Sequence, residues 1–220
     1  MIPPQKNAAF VADMERVLDI YKRPYDERFP VVCYDEMPRQ LLEEVREIQP
    51  MRPGQPQRVD YEYRRMGTCN VLLANEPLRG WRMAEVTPTK TAKDWAVFTE
   101  KIALQYPNAE KIILIEDNLN THKPASWYET FPPEKAKALM DKFELVYTPR
   151  HGSWLNMAEI ELNVVSMQCL RRRIASMKEM KKAVKAWQKE RNAKSRTINW
   201  QFTTGDARVK LRRLYPSFQD

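Results

Sequence analysis

The chain has 220 residues, of which 43% are hydrophobic and 10% aromatic, and this composition excludes wholesale disorder and supports one domain with a sizeable core. Its net charge of +8 is concentrated near the end, since residues 171–220 hold 15 Lys or Arg against four Asp or Glu. A basic segment on a nearly neutral body indicates a polyanion as partner, most simply nucleic acid, although a solvated basic helix without a partner has the same charge pattern.

The same composition also indicates where the protein is located and argues against a zinc site. No apolar segment approaches 18 residues and the N-terminus has no signal-peptide pattern, so we expect a soluble cytoplasmic protein without a membrane partner. Cys33, Cys69 and Cys169 are far apart and predict buried, reduced thiols. His122 and His151 are the only histidines, too few imidazoles for an ordinary zinc site.

Hydrophobic spacing predicts the elements of the first half of the chain. They are a helix at 7–21, a strand at Val31–Asp35, a short helix at Arg39–Ile48, a Pro-rich loop at 50–58, and a hairpin of strands Met66–Ala74 and Trp81–Thr87.

In the second half, helices and strands alternate. The predicted elements are a helix at Thr91–Tyr106, a strand at 111–117, a helix at Glu134–Lys142, a strand at Phe143–Tyr147, helices at Asn156–Ile174 and Met177–Lys194, and a strand at Ile198–Thr204. Three successive strands followed by this alternation indicate a mixed α/β sheet.

Two of the predicted strands end in an acid. Val31–Asp35 (VVCYD) and Lys111–Asp117 (KIILIED) are aliphatic runs typical of strands covered on both faces. If they are parallel neighbours, Asp35 and Asp117 emerge side by side, and a divalent cation such as Mg²⁺ or Mn²⁺ would relieve their repulsion. The alternative is that Asp117 only begins a turn.

A third acid lies on the helix that follows Trp154. Asn156, Glu159, Asn163 and Ser166 share one polar arc of this otherwise apolar helix, as expected for a helix lining a polar cleft. Glu161 falls on the opposite side and cannot serve the same site. The alternative for Glu159 is a capping box, in which it folds back on the helix start.

These residues carry a resemblance to a known family. The segments CYDE, DNLNTH and TPRHGSWLNMAEIE resemble the catalytic core of DDE-type transposases, closest to bacterial insertion-sequence transposases related to the mariner group. The resemblance extends from about Val31 to Tyr215. It implies an α/β, ribonuclease H-like fold with a mixed five-stranded sheet flanked by helices. We accordingly expect an N-terminal helix and linker at 1–28, the catalytic domain at 29–175, and a basic helical extension packed on it at 176–220.

The resemblance also implies a chemistry. The catalytic and metal-binding acids would be Asp35, Asp117 and Glu159, holding two Mg²⁺ or Mn²⁺ ions for DNA cleavage and strand transfer. Residues expected to support the site are Asn118, Asn120, His122 and Asn156. Residues expected to contact DNA are Arg150, His151, Trp154, Arg171, Arg172, Arg173, Lys178, Lys181, Lys182 and Lys185.

The chain departs from the family pattern in three ways. The interval from Asp117 to Glu159 is longer than usual, Met157 replaces the family's Pro, and no helix-turn-helix domain precedes the core. Two alternatives therefore stay open: a stand-alone ribonuclease H-like nuclease, or a non-catalytic DNA-binding transposase fragment. The expected partners are transposon-end and target DNA at the prokaryotic nucleoid. A homodimer is compatible with the sequence but not required by it, and no small-molecule substrate is expected.

Overall fold

The computed structural model describes residues 7–46, 53–54 and 61–216. The strands are β1 (Val31–Glu44), β2 (Tyr63–Glu76), β3 (Trp81–Thr87), β4 (Ile112–Glu116) and β5 (Phe143–Tyr147). The α-helices are α1 (Ala8–Tyr21), α2 (Ala92–Gln105), α3 (Pro124–Thr130), α4 (Pro133–Lys142), α5 (Met157–Gln168), α6 (Met177–Ala193) and α7 (Thr204–Lys210). Short 3₁₀ turns span Ser153–Leu155 and Arg212–Leu214.

The five strands form one mixed sheet in the order β3-β2-β1-β4-β5. β1 to β3 form an antiparallel meander, whereas β4 runs parallel to β1 and β5 runs parallel to β4. The predicted five-stranded mixed sheet is therefore confirmed. The two strands that end in acids are parallel neighbours, and the last register pair recorded between them is Cys33 with Ile115.

Helices cover both faces of the sheet, so each face has its own core. On one face Trp95 of α2 and Trp127 of α3 pack on Tyr34 and the neighbouring β-strand side chains. On the other face Leu162 of α5 and Trp187 of α6 share a core with residues from α1 and α7. Because side chains alternate along a strand, neighbouring residues of β1 face different cores.

Two predicted elements are wrong, and a third, the helix at Asn156–Ile174, forms but ends early. No helix forms over the described part of Arg39–Ile48, because β1 continues to Glu44 and pairs with β2 past an irregularity between Gln40 and Leu42. The helix predicted to reach Ile174 ends at Gln168, because the chain then turns to place the Ile174 carbonyl 2.9 Å from the Leu42 amide.

The strand predicted at 198–204 is also absent, because this segment has no ladder partner and instead partly buries its aromatic rings. Trp200 and Phe202 pack against the core formed with α1 and α5. The Pro-rich loop predicted at 50–58 lies, apart from residues 53–54, outside the described residues.

The three cysteines are free thiols; Cys33 and Cys69 are buried and Cys169 is partly exposed. Within the described part of the chain, no helix combines the length and apolar character needed to cross a bilayer.

Candidate active site

Two acids mark the edge of the sheet at which β4 ends. Asp117 is the residue immediately after β4, and Asp35 lies in β1 two positions beyond the register pair of Cys33 with Ile115. The carboxyl ends of neighbouring parallel strands are where ligand sites form in α/β sheets. The fold thus brings together the two strand acids that the sequence singled out.

Two hydrogen bonds of the Asn156 side chain hold the start of helix α5 beside these acids. Its side-chain oxygen caps the helix by accepting from the Ala158 amide at 3.0 Å, and its side-chain nitrogen donates to the Tyr34 carbonyl at 2.7 Å. Glu159 follows in the first turn and is exposed. Asn156 therefore caps this helix end itself, and the carboxylate of Glu159 has no hydrogen-bond or ion-pair partner among the described residues.

The pKa of Asp35 is shifted in part by the charges of the other two acids. Burial raises the pKa of Asp35 to about 7, the negative charges of Asp117, Glu36 and Glu159 add to this rise, and a hydrogen bond from the Glu36 amide opposes it. A carboxyl group in this environment is easier to protonate than an exposed carboxyl group. A bound cation would reverse that preference.

The donor chemistry fits a hard divalent ion, because three carboxylates supply only oxygen ligands and repel one another without a counter-charge. Across the described residues, however, no three His, Cys, Asp or Glu side chains already stand at the mutual spacing of a metal-ligand set. The charges of Asp117 and Glu159 thus act on Asp35, although the three side chains are not arranged as a ligand set.

Behind Asp117, on the α2 side of the sheet, lies a buried charged cluster around His122. The Nδ1 atom of His122 lies 2.7 Å from Oδ1 of Asp117, and its Nε2 atom lies 3.3 Å from Oε2 of Glu36. Burial opposes protonation, but the bonds to Asp117 and Glu36 and the charge of Glu116 outweigh it and raise the pKa of His122 to about 10.

Glu116 belongs to the same cluster and is fully buried. The indole nitrogen of Trp95 donates to its Oε2 atom at 2.8 Å, and His122 Nδ1 lies 3.9 Å away. Burial raises the pKa of Glu116 to about 8, against the charge of His122 and the bond from Trp95. Sequence reasoning missed the roles of Glu36 and Glu116, although acids inside predicted buried strands were a usable signal.

Comparison with known proteins decides the family. Residues 30–181 match the family model described as DDE superfamily endonuclease. The chain belongs to this family. The resemblance drawn from the acids and their flanking motifs is thereby confirmed. A search of curated protein sequences finds no match.

The fold of this DDE endonuclease is similar to solved structures of Mos1 mariner transposase. The catalytic domain of that protein matches with a TM-score of 0.56 and 12% identity, over 89% of this chain and 90% of that one. The Mos1 paired-end complex with Mn matches with a TM-score of 0.58 and 16% identity, over 89% of this chain and 60% of that chain. The Mos1 strand transfer complex matches with a TM-score of 0.56 and 18% identity, over 96% and 62%.

These TM-scores show a shared fold, and the ribonuclease H-like architecture expected from the sequence is confirmed. The chain spans about 60% of the length of the longer Mos1 chains it matches.

The remaining polar residues expected near the acids differ in exposure. Asn118 and Asn120 are exposed after β4, and Asn118 accepts a hydrogen bond from Lys123. Arg150 and His151 are exposed in the loop before α5, where His151 adopts a left-handed backbone with φ of 66°. Trp154 instead packs edge-on against Phe202, with ring centroids 5.9 Å apart.

The basic residues of 171–185 that were expected to contact DNA fall into two groups, one bound within the fold and one exposed. Arg173 is engaged within the fold, since it pairs with Glu44 at 2.6 Å and donates to the Glu62 carbonyl. The others are exposed on α6 and the segment before it: Arg171, Arg172, Lys178, Lys181, Lys182 and Lys185. A groove of about 780 Å³ lies between α5 and α6 and includes Arg172, Lys194 and Arg196 in its lining.

Proposed function

We propose that this chain is the catalytic domain of a transposase that cleaves DNA strands and joins them to target DNA. The observation that carries the proposal is the placement of Asp35, Asp117 and the start of α5, which bears Glu159, at the edge where β4 ends. Membership of the DDE endonuclease family and a fold shared with Mos1 transposase support it.

Asp35, Asp117 and Glu159 would hold two Mg²⁺ or Mn²⁺ ions. When bound, such ions supply the Lewis acidity that activates an attacking oxygen and stabilises the leaving oxygen of a phosphodiester. The chain supplies the rigid frame: β1 and β4 fix the two aspartates, and the bond from Asn156 to the Tyr34 carbonyl fixes the start of the helix that carries Glu159. Asn118 and Asn120, exposed beside Asp117, would orient the scissile phosphate.

DNA would reach this site along the basic side of the molecule. Arg150 and His151 lie in the loop before α5, and the exposed Arg and Lys side chains of 171–185 would contact the phosphate backbone. Arg173 and Trp154 contribute to folding and are weaker candidates for DNA contact. We further propose that the chain acts on nucleoid DNA in the cytoplasm, as a monomer or homodimer, with 29–175 as catalytic core and 176–220 packed on it.

The proposal is tested by incubating supercoiled plasmid with the purified chain and MnCl₂ and following nicking on a gel. Asp35→Asn, Asp117→Asn and Glu159→Gln should each abolish nicking and keep the circular dichroism spectrum of the unaltered chain. Asp141→Asn, which alters an exposed carboxylate paired with Lys137 on α4, is the matched control and should nick normally.

A second assay separates transposition from simple nucleolysis. A duplex that represents a cleaved transposon end, with a free 3′-hydroxyl, is mixed with plasmid, and joined products are sought. Joining supports a transposase, nicking without joining supports a stand-alone nuclease, and DNA binding without nicking supports a non-catalytic fragment.

A further inference from the structure

The imidazole of His122 is held rigidly on all sides. Trp95 stacks on it with ring centroids 5.9 Å apart and an interplanar angle of 22°, and Tyr34 meets it edge-on at 5.4 Å. The Tyr147 hydroxyl donates to the His122 carbonyl at 2.8 Å, and the His122 amide donates to the Leu119 carbonyl at 3.1 Å. Ring and backbone are therefore both fixed, as a group that orients another side chain requires.

The two ring nitrogens lie next to two acids from different strands. Nδ1 lies 2.7 Å from Oδ1 of Asp117, just after β4, and 3.2 Å from the carbonyl oxygen of the same residue. Nε2 lies 3.3 Å from Oε2 of Glu36 in β1. Glu36 is the residue after Asp35, and its side chain is only 4% exposed. One imidazole thus links the acid at the end of β4 to the residue next to the acid of β1.

We propose that His122 is a positioning residue that fixes the Asp117 carboxylate for cation binding, and that Glu36 in turn fixes His122. This inference rests on the proposed function, because it concerns one of the three acids assigned there. Groups that hydrogen-bond to metal-ligating carboxylates are a general means of orienting ligands, and their loss typically lowers metal affinity about 10- to 100-fold.

The alternative is that His122 is only a satisfied core residue. Two substitutions distinguish the roles, because an Asn amide nitrogen takes the place of the imidazole Nδ1 and a Gln amide nitrogen takes the place of Nε2. His122→Asn keeps a donor facing Asp117, whereas His122→Gln keeps a donor facing Glu36. A purely structural role would make both variants alike in metal binding.

The readout is Mn²⁺ binding to the full chain by isothermal titration calorimetry, with folding checked by circular dichroism. We expect His122→Gln to bind Mn²⁺ about 10- to 100-fold more weakly and His122→Asn to bind close to the unaltered chain. Equal affinities in the two variants, or a rise in affinity on loss of the imidazole, would overturn the inference.

A second pair of variants keeps the test decisive if substitutions of His122 unfold the protein. Glu36→Gln retains the imidazole and removes the carboxylate that faces its Nε2 atom, together with that carboxylate's pair with Lys90. Mn²⁺ affinity should fall, and an unchanged affinity would count against the inference. The matched control is Glu144→Gln, an exposed carboxylate of β5 paired with Arg16, which should leave Mn²⁺ affinity unchanged.

Failure of this inference is distinguishable from failure of the proposed function. If Asp117→Asn weakens Mn²⁺ binding while Glu36→Gln and His122→Gln do not, the metal site stands and the positioning role falls. If Asp117→Asn itself binds Mn²⁺ normally, the assigned metal site is wrong.

Discussion

Arg82 and Glu161 form a buried ion pair, with Nη2 of Arg82 2.7 Å from Oε1 of Glu161 and each side chain 1% exposed. Arg191 of α6 donates to the same oxygen at 2.8 Å. One carboxylate therefore joins β3, α5 and α6. Because Glu161 lies two residues after Glu159, this junction also anchors the helix that carries the third acid of the proposed site.

Glu161→Gln should destabilise the protein strongly, because it leaves the Arg82 guanidinium buried without a counter-charge. Removing one partner of a buried pair costs about 3–5 kcal/mol, whereas an exposed pair contributes about 0–1 kcal/mol. Urea denaturation at neutral pH measures the difference. The matched control is Glu144→Gln, which breaks the exposed pair with Arg16. Similar losses for both variants would show that the buried pair is not an anchor.

The sequence predicted the strands that carry Asp35 and Asp117 but not the charged pairs behind them. β4 was predictable because four consecutive aliphatic residues end in acids, and Asp35 followed from the same pattern. Arg82 and Glu161 are 79 residues apart along the chain, and only the packing of β3 against α5 and α6 brings them together. No local pattern encodes such a pair.

The helix predicted at Arg39–Ile48 is wrong for a similar reason: distant residues decide the structure of this segment. Leu41, Leu42 and Val45 have a helical spacing, and local periodicity favours a helix. The hairpin partner decides otherwise, since Leu42 pairs with Arg65 and Glu44 with Tyr63 in β2. Strand identity here depends on residues more than 15 positions away, which a local window does not include.

Asp35→Asn should change how the stability of the metal-free protein depends on pH. The pKa of Asp35 is raised from 3.8 to about 7, chiefly by burial, so between these values the folded state holds a proton that the unfolded state releases. Stability should therefore fall as pH rises from about 4 to about 7, by at most about 4 kcal/mol from this group.

This pH effect is measured by urea denaturation in EDTA at pH 4.5 and 7.5. Most of the expected fall in stability occurs between these two pH values. The unaltered chain should lose stability between them, and Asp35→Asn should lose less. Saturating Mn²⁺ at pH 7.5 should raise the stability of the unaltered chain more than that of Asp35→Asn. The control is Asp141→Asn, and equal losses in all three proteins would contradict the assigned environment of Asp35.

The exposed lysines of α6 should anchor DNA electrostatically. Lys181→Ala with Lys182→Ala should weaken binding to duplex DNA of arbitrary sequence and reduce the slope of log affinity against log salt by up to about 0.9 per lysine. Fluorescence anisotropy across a salt series measures this slope. Lys137→Ala on α4, which removes an exposed cation paired with Asp141, is the control and should keep the original slope. A double variant with the original slope would exclude these lysines as anchors.

Asn156 should matter to cleavage beyond its contribution to stability. Asn156→Ala loses both the cap on Ala158 and the bond to the Tyr34 carbonyl, and should cost about 1–3 kcal/mol. Asn156→Ser retains a capping oxygen but is too short to reach Tyr34. If the bond to Tyr34 positions Glu159, both variants should lower Mn²⁺-dependent plasmid nicking about 10-fold or more, a loss typical of groups that orient metal ligands.

The matched control for Asn156 is another helix cap far from the acids. Asn7 caps α1 by accepting from the Phe10 amide at 2.9 Å, so Asn7→Ala should cost about 1 kcal/mol and leave nicking unchanged while the protein is folded. Nicking by Asn156→Ser at the rate of the unaltered chain would show that the cap alone suffices. In that case the bond between α5 and β1 would be a packing contact without a role in placing Glu159.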